Sequence, residues 1–206
     1  MVYRTTEKTE AHRAKVRLRI LDAAQARVLV GGFAYVSVSQ VAADAGIATG
    51  TMYRHFKSKT ELCTELFRSA SQYEVDQVRK GIEGKGAPKL RLQQTTRMFA
   101  SRAIKGRHLA YALIAEPLDP VLEHERLRFR QAYAEQFQKL VEEGIACGDF
   151  VLQNPAITAT ALVGVMAETL VGPLAPSSDT LSEQQQKILT HEISQFCLRA
   201  VGSQRI

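Results

Sequence analysis

Cysteine is scarce and badly placed for cross-linking. Cys63, Cys147 and Cys197 are odd in number and far apart, which excludes a disulfide framework and a cysteine-rich zinc site. The histidines (His12, His55, His108, His124 and His191) show neither HxxxH nor HxxE spacing, so no metal and no cofactor is expected. The scattered Cys and His also offer no convergent nucleophile and base, so an enzyme is not expected. No uncharged apolar run reaches the length of a membrane span. The N-terminus is mixed in charge and then amphipathic, without the apolar core of a secretory signal. No segment sustains the period-two alternation of a strand, and no repeat or low-complexity tract occurs. These absences describe a reduced, cytoplasmic, metal-free chain without a membrane anchor.

What is present is an ordinary globular composition with an uneven charge. The 206 residues are 45% hydrophobic, enough for one large domain or two small ones. The net charge is +6. Residues 1–60 hold ten basic side chains against four acidic ones, and the remaining basic and acidic groups cancel. The whole excess therefore belongs to the front end, which suits a polyanion.

Helix signals run from end to end, predicting an all-α fold of about nine helices. Val16, Ile20, Ala24 and Val28 recur every four residues over about 11–30, stopped by Gly31-Gly32. Ser37 with Gln40 reads as a capping box, as do Ser58 with Glu61 and Thr180 with Glu183. A short helix from Ser37 stops at Gly46, a second spans about 48–55, and a longer one starts at Ser58. Glycines at 81, 84 and 86, followed by Pro88, mark a hinge. Helices over about 88–105 and 107–116 follow. Asp119-Pro120 and Asn154-Pro155 each set a capping side chain before an N1 proline, opening helices to about 147 and 172. The last helix runs to about 201.

Residues 37–55 read as two helices joined by a tight turn. Val41, Ala42, Ala45, Met52 and Phe56 face inward, and Gly46 supplies the bend. Thr49, Thr51, Tyr53 and Arg54 then point outward, a set suited to groove and phosphate contacts. The string Ile20-Leu21-Asp22-Ala23-Ala24, Gly32-Phe33, Ser37 to Ile47 and Gly50 to Leu62 closely resembles the TetR family of bacterial transcriptional regulators, over roughly 13–66 without gaps. The resemblance implies a homodimer that binds a palindromic double-stranded DNA operator, most simply as a repressor, and releases it when a small hydrophobic effector enters a second domain. It divides the chain into a DNA-binding domain (1–57), a connecting helix and hinge (58–87) and an effector-binding and dimerisation domain (88–206).

Carried over by position, the resemblance assigns DNA contacts to Ser37, Thr49, Gly50, Thr51, Tyr53, His55 and Lys59; Arg54 joins them by its outward place and Arg17 by its charge beside the motif. Bland readings stand beside these. Ser37 and Ser58 serve as caps with or without a phosphate, and His55 fits packing as well as contact. Arg13, Arg17 and Arg19 would elsewhere be a solvated face, but beside a helix-turn-helix they read as phosphate attraction. Arg4 and Lys8 read as a tail that brushes DNA. Ala48 stands where the family has Ser or Thr, and Arg27 where it is usually apolar.

In the second half, Met98, Phe99, Arg102, Tyr111, Arg126, Phe129 and Tyr133 are candidates for an effector pocket. The arginines could pair with an anionic or carbonyl-bearing ligand, or simply with Glu123 or Glu116. Residues 156–171 are apolar almost all round apart from Glu168, so this helix needs cover on two sides. With the terminal helix it predicts a two-fold four-helix interface through Ala159, Gly164, Ala167, Val171, Leu189, Ile193 and Phe196; an intramolecular core is the alternative. Coupling between effector and DNA is expected to pass the hinge and the packing of Tyr73. The competing function is a DNA-architectural or partner-controlled helical protein without an effector, which would have a solid second half.

Overall fold

The computed structural model describes residues 7–202. Among them are nine α-helices, one 3-10 turn and no strand, as the periodicity requires. The helices are α1 (Glu7–Gly31), α2 (Val38–Asp44), α3 (Thr49–Met52), α4 (Lys59–Ile82), α5 (Pro88–Lys105), α6 (Arg107–Ile114), α7 (Pro120–Ala146), α8 (Pro155–Leu174) and α9 (Glu183–Ala200). The 3-10 turn, Phe33–Tyr35, lies between α1 and α2. Arg4 lies outside the described residues.

Several boundaries follow from local chemistry. Asp119 accepts from the Val121 amide at 2.8 Å, and Asn154 accepts from the Ile157 amide at 3.1 Å. Each satisfies a donor left free by the first turn. Gly46 sits at φ 63°, the left-handed conformation the α2–α3 bend demands.

Other caps differ from expectation. The Ser37 hydroxyl makes no cap bond and lies 3.1 Å from the Ser39 hydroxyl. Gln40 is drawn away by Arg27, 2.8 Å distant. Ser58 does cap the Glu61 amide, but the Glu61 carboxylate takes the Lys57 amide rather than that of Ser58. The last box forms two residues late, between Ser182 and Gln185. The second short helix is only the four residues of α3, followed by a turn through His55. Thr49, Gly50 and Thr51 are weak helix formers, which explains its brevity.

Two clusters of buried side chains hold the fold. One gathers Ile20, Ala24, Val28, Phe33, Val41, Met52, Phe56, Leu62 and Phe67, and extends to Ala112, Leu122 and Phe129 of the second half. The other packs Leu92, Phe137, Leu140, Leu162, Met166, Leu170 and Leu198 between α5, α7, α8 and α9. Burial of a large apolar side chain contributes about 1.5–3 kcal/mol, so each cluster is a major stabilising element. The helix-turn-helix therefore has no core of its own; it shares one with α1, α4, α6 and α7.

The glycine-rich turn after α4 is spanned by Arg91, buried on α5. It donates to the Ile82 carbonyl at 2.6 Å and pairs with Glu143 of α7. α8 is the one helix among the described residues long and apolar enough to cross a membrane. It carries Glu168 on its exposed face and packs against α7. Cys63 and Cys197 are buried and Cys147 is exposed. Burial pushes the Cys63 thiol up to about 11 and that of Cys197 to about 12.

Candidate nucleic-acid interface and cavity

Met52 and Phe56 anchor the recognition segment, each 1% exposed. Their inward packing turns the neighbouring side chains out. Thr49, Gly50, Tyr53 and Arg54 are exposed, and Thr51 is half-buried. No side chain stands within 4 Å of where a Cβ on Gly50 would be, so its backbone is open to approach. Lys57 and Lys59 are exposed at the start of α4. Arg19, Arg54, Lys57 and Lys59 carry no ion pair among the described residues, leaving an open cationic rim around the threonines and Tyr53.

Two basic residues are not part of that rim. Arg17 is clasped by both oxygens of Glu65 on α4, and its guanidinium lies 4.6 Å from the centroid of the Phe56 ring. Its charge is already largely compensated within the head, so it offers a phosphate less than an unpaired guanidinium would. Arg27 donates to Asp44 at 2.7 Å and to Gln40, pinning α1 to α2. This explains a charged residue at a usually apolar position.

His55 is half-buried, and its Nδ1 has no hydrogen-bond partner. Burial, together with Arg13 and Arg17 nearby, holds its pKa below the usual 6.5. The neutral ring is thereby favoured, which makes it a weaker cation for phosphate. Ser37 is half-buried beside Ser39 and keeps its hydroxyl off the helix amides.

A second feature lies behind this face. α4, α5, α6, α7 and α8 enclose a cavity of about 100 Å³. Of the seven residues expected to form a pocket, Phe99, Arg102, Arg126, Phe129 and Tyr133 line it. Met98 and Tyr111 do not; Tyr111 packs instead against the larger core cluster. Phe67, Ser71 and Glu74 of α4 and Leu109 and Leu113 of α6 complete the walls, missed because that pocket expectation stopped short of α4.

Two of the three arginines lining the cavity are already engaged, while Arg130 is exposed and carries no ion pair among the described residues. Arg102 grips Glu74 with two bonds, 2.9 and 2.6 Å, which raises its pKa further. It also lies over Tyr73, 5.1 Å from the ring centroid, so Tyr73, though exposed, packs on Arg102. Arg126 pairs with Glu123 at 2.7 Å, as the bland alternative held. Burial lowers its pKa against the opposing pull of Glu123. Tyr133 meets Phe99 edge-on at 5.8 Å, and burial raises its hydroxyl pKa.

The interface expectation is corrected at two positions. Ala159 and Ile193 belong to the protomer's own core, 0% and 3% exposed. Leu189 and Val171 are half-buried, Leu189 against the same core. Ala167 lines the cavity as well as a groove between α7 and α8. Gly164 and Phe196 are open. The periodic stripe read as intersubunit is in part the side of α8 and α9 that holds the monomer together.

An exposed, cation-rimmed helix-turn-helix mounted on a helical body with a side-chain-lined cavity defines a DNA-binding transcriptional regulator. Residues 20–66 match the family model described as bacterial regulatory proteins, tetR family. Over this segment the chain carries a TetR-family DNA-binding head. The fatty acid metabolism regulator protein of Bacillus subtilis is 26% identical over 64% of this chain and 69% of its own length. The HTH-type transcriptional repressor KstR2 of Mycobacterium tuberculosis is 27% identical over 62% and 68%.

Solved structures share the fold well beyond the matched head. A TetR/AcrR-family regulator from Thermobifida fusca has a TM-score of 0.70, at 21% identity over 92% of this chain and 98% of that one. FadR from Bacillus subtilis in complex with stearoyl-CoA has a TM-score of 0.69, at 21% identity over 91% and 99%.

Proposed function

We propose that this chain is a cytoplasmic, homodimeric transcriptional repressor released from a palindromic operator by a small apolar effector. One observation carries the reading: the walls of the cavity are also the core of the DNA-binding head. Phe67 and Phe129 line the cavity, while Phe67 stacks 5.7 Å from Phe33 at the base of the helix-turn-helix. A molecule that repacks those rings must move the head, which is the differential contact an effector needs.

The Bacillus structure with stearoyl-CoA makes acyl thioesters the first class of effector to try. The domain boundaries expected above, 1–57, 58–87 and 88–206, carry over to this reading. A dimer would use the outer faces of α8 and α9, where Ile157 and Phe196 are 69% and 49% exposed. It would set two recognition segments about 34–36 Å apart, one turn of B-DNA. Thr49, Gly50, Thr51, Tyr53 and Arg54 would read the groove, with Lys59 on phosphate.

The test is release of DNA by dodecanoyl-CoA, measured on a duplex selected for tight binding from a random pool. Release by the wild type, lost in an Ala110→Leu variant that fills the cavity but still binds the duplex, is expected. Unchanged DNA affinity at saturating ligand would overturn the effector. A specific observation favours a second reading: about 100 Å³ is below the roughly 300–1,000 Å³ of most ligand sites. In that case the body answers to a protein partner, and no acyl thioester shifts the melting temperature.

A further inference from the structure

Arg126 stands with one side on the cavity and the other on the end of α6. It makes five hydrogen bonds. Nε donates to the Leu113 carbonyl at 3.0 Å, and one terminal nitrogen donates to both Glu123 oxygens at 2.7 and 2.9 Å. The other reaches the Ala112 carbonyl at 3.2 Å and the Glu116 carbonyl at 2.6 Å. Carbonyls 112 and 113 belong to the last turn of α6, where no further turn supplies donors. The arginine supplies them instead, and its positive charge suits the negative end of the helix.

Glu116 follows this turn directly and is itself buried. Its carboxylate accepts the Phe33 amide at 2.9 Å and the Ala34 amide at 2.8 Å. These open the 3-10 turn that joins α1 to α2, so a residue of the second half holds the base of the helix-turn-helix. The fit is close: a Cβ on Gly32 would collide with the carboxylate. Charge-assisted bonds in a buried setting are the stronger kind.

We propose that Arg126 is the residue that reads the effector, and that Glu116 is the latch it controls. The two nitrogens that face the α6 end, Nε and one terminal nitrogen, already carry three carbonyl acceptors on their three N–H groups, so a ligand oxygen can bind them only by displacing one. Occupation of those two nitrogens by an anionic or carbonyl oxygen and full support of the α6 end are therefore mutually exclusive. The ligand class is an apolar body carrying such an oxygen, a fatty carboxylate or its thioester. Loss of carbonyls 112, 113 or 116 frees the segment that carries Glu116, and the Phe33 and Ala34 amides lose their acceptor. The ligand part rests on the function proposed above; the latch does not.

Amide hydrogen exchange in the ligand-free protein tests the latch. Glu116→Gln removes the charge and one of two acceptors, so exchange at residues 33 and 34 should quicken about tenfold or more. Arg126→Lys, which touches neither amide, should quicken the same two while leaving Ile20 and Ala24 of α1 unchanged. If only Glu116→Gln does so, the relay is overturned; if neither does, so is the latch. A general rise in exchange would signal unfolding, and Arg126→Gln, which brings no charge into the buried site, then decides by the same two amides.

Adding dodecanoate and dodecanoyl-CoA to the wild type tests the reading role. Faster exchange at 33 and 34 with either, absent in Arg126→Lys that still binds it, is expected. A response to the thioester alone assigns the carbonyl, and to the acid as well assigns the carboxylate. Binding without any change at 33 and 34 overturns the role of Arg126. Failure of both probes to bind overturns the acyl effector and the ligand class drawn from it, while the ligand-free result stands.

Discussion

The guanidinium of Arg17 and the carboxylate of Glu65 meet with both nitrogens on both oxygens, tying α1 to α4 across the base of the DNA-binding head. Each side chain is about one third exposed, so the pair is partly screened and contributes about 1 kcal/mol or less to stability. Its larger effect is on charge. Glu65→Gln should free Arg17 and raise affinity for a random-sequence duplex, with the salt slope steeper by about one counterion. A salt titration by fluorescence anisotropy measures it, and an unchanged slope would show that Arg17 is too far from the duplex.

The recognition segment separates anchoring from reading, and variants should separate the same way. Met52→Ala empties a buried site and should cost about 2–5 kcal/mol, seen as a lower urea midpoint. Arg54→Ala and Tyr53→Ala should leave that midpoint nearly unchanged. Arg54→Ala should weaken binding to duplexes of any sequence, whereas Tyr53→Ala should act most on the selected one.

His55 gives the head a defined response to acid. Its folded pKa lies below the 6.5 of the free group, so the unfolded chain takes up its proton first. Stability then falls as pH drops through about 6.5 and levels off once the folded ring is also charged. Urea midpoints between pH 8 and 5 should fall in the wild type and fall less in His55→Gln. The ring signals, followed by NMR, should titrate below 6.5.

Gly32 occupies φ 76° and abuts Glu116. Gly32→Ala would place a Cβ in an unfavourable backbone region and against a buried carboxylate. A loss of about 1–3 kcal/mol is expected, and calorimetry reads it. In Gly148→Ala, at φ 82° with nothing near, only the backbone part remains, so its loss should be smaller.

Where sequence reasoning worked, the decisive contacts were local. Asp119-Pro120 and Asn154-Pro155 cap within three residues of themselves, so no distant partner could alter them. Met52 and Phe56 were legible as inward because the turn at Gly46 fixes the phase of the segment. Ser37 with Gln40 failed because Arg27, from another helix, takes Gln40 first.

Periodicity also cannot say which body covers an apolar stripe. Ala159 and Ile193 share the pattern of Gly164 and Phe196, yet lie on the inner side of their helices. Arg17 looked free because its acid stands 48 residues away. Glu116 was legible only as a partner for an arginine, since a carboxylate serving two backbone amides 82 and 83 residues away follows no motif.

The cysteines have a practical consequence. Two thiols are shut in the interior and stay protonated well above neutral pH, while Cys147 stands exposed in the turn after α7. A maleimide dye at neutral pH will therefore mark each protomer once, at a residue outside the recognition segment and the cavity wall. The native chain is thus ready for single-molecule distance measurements without cysteine engineering, and two labelled copies would report their own separation as they take up or leave DNA.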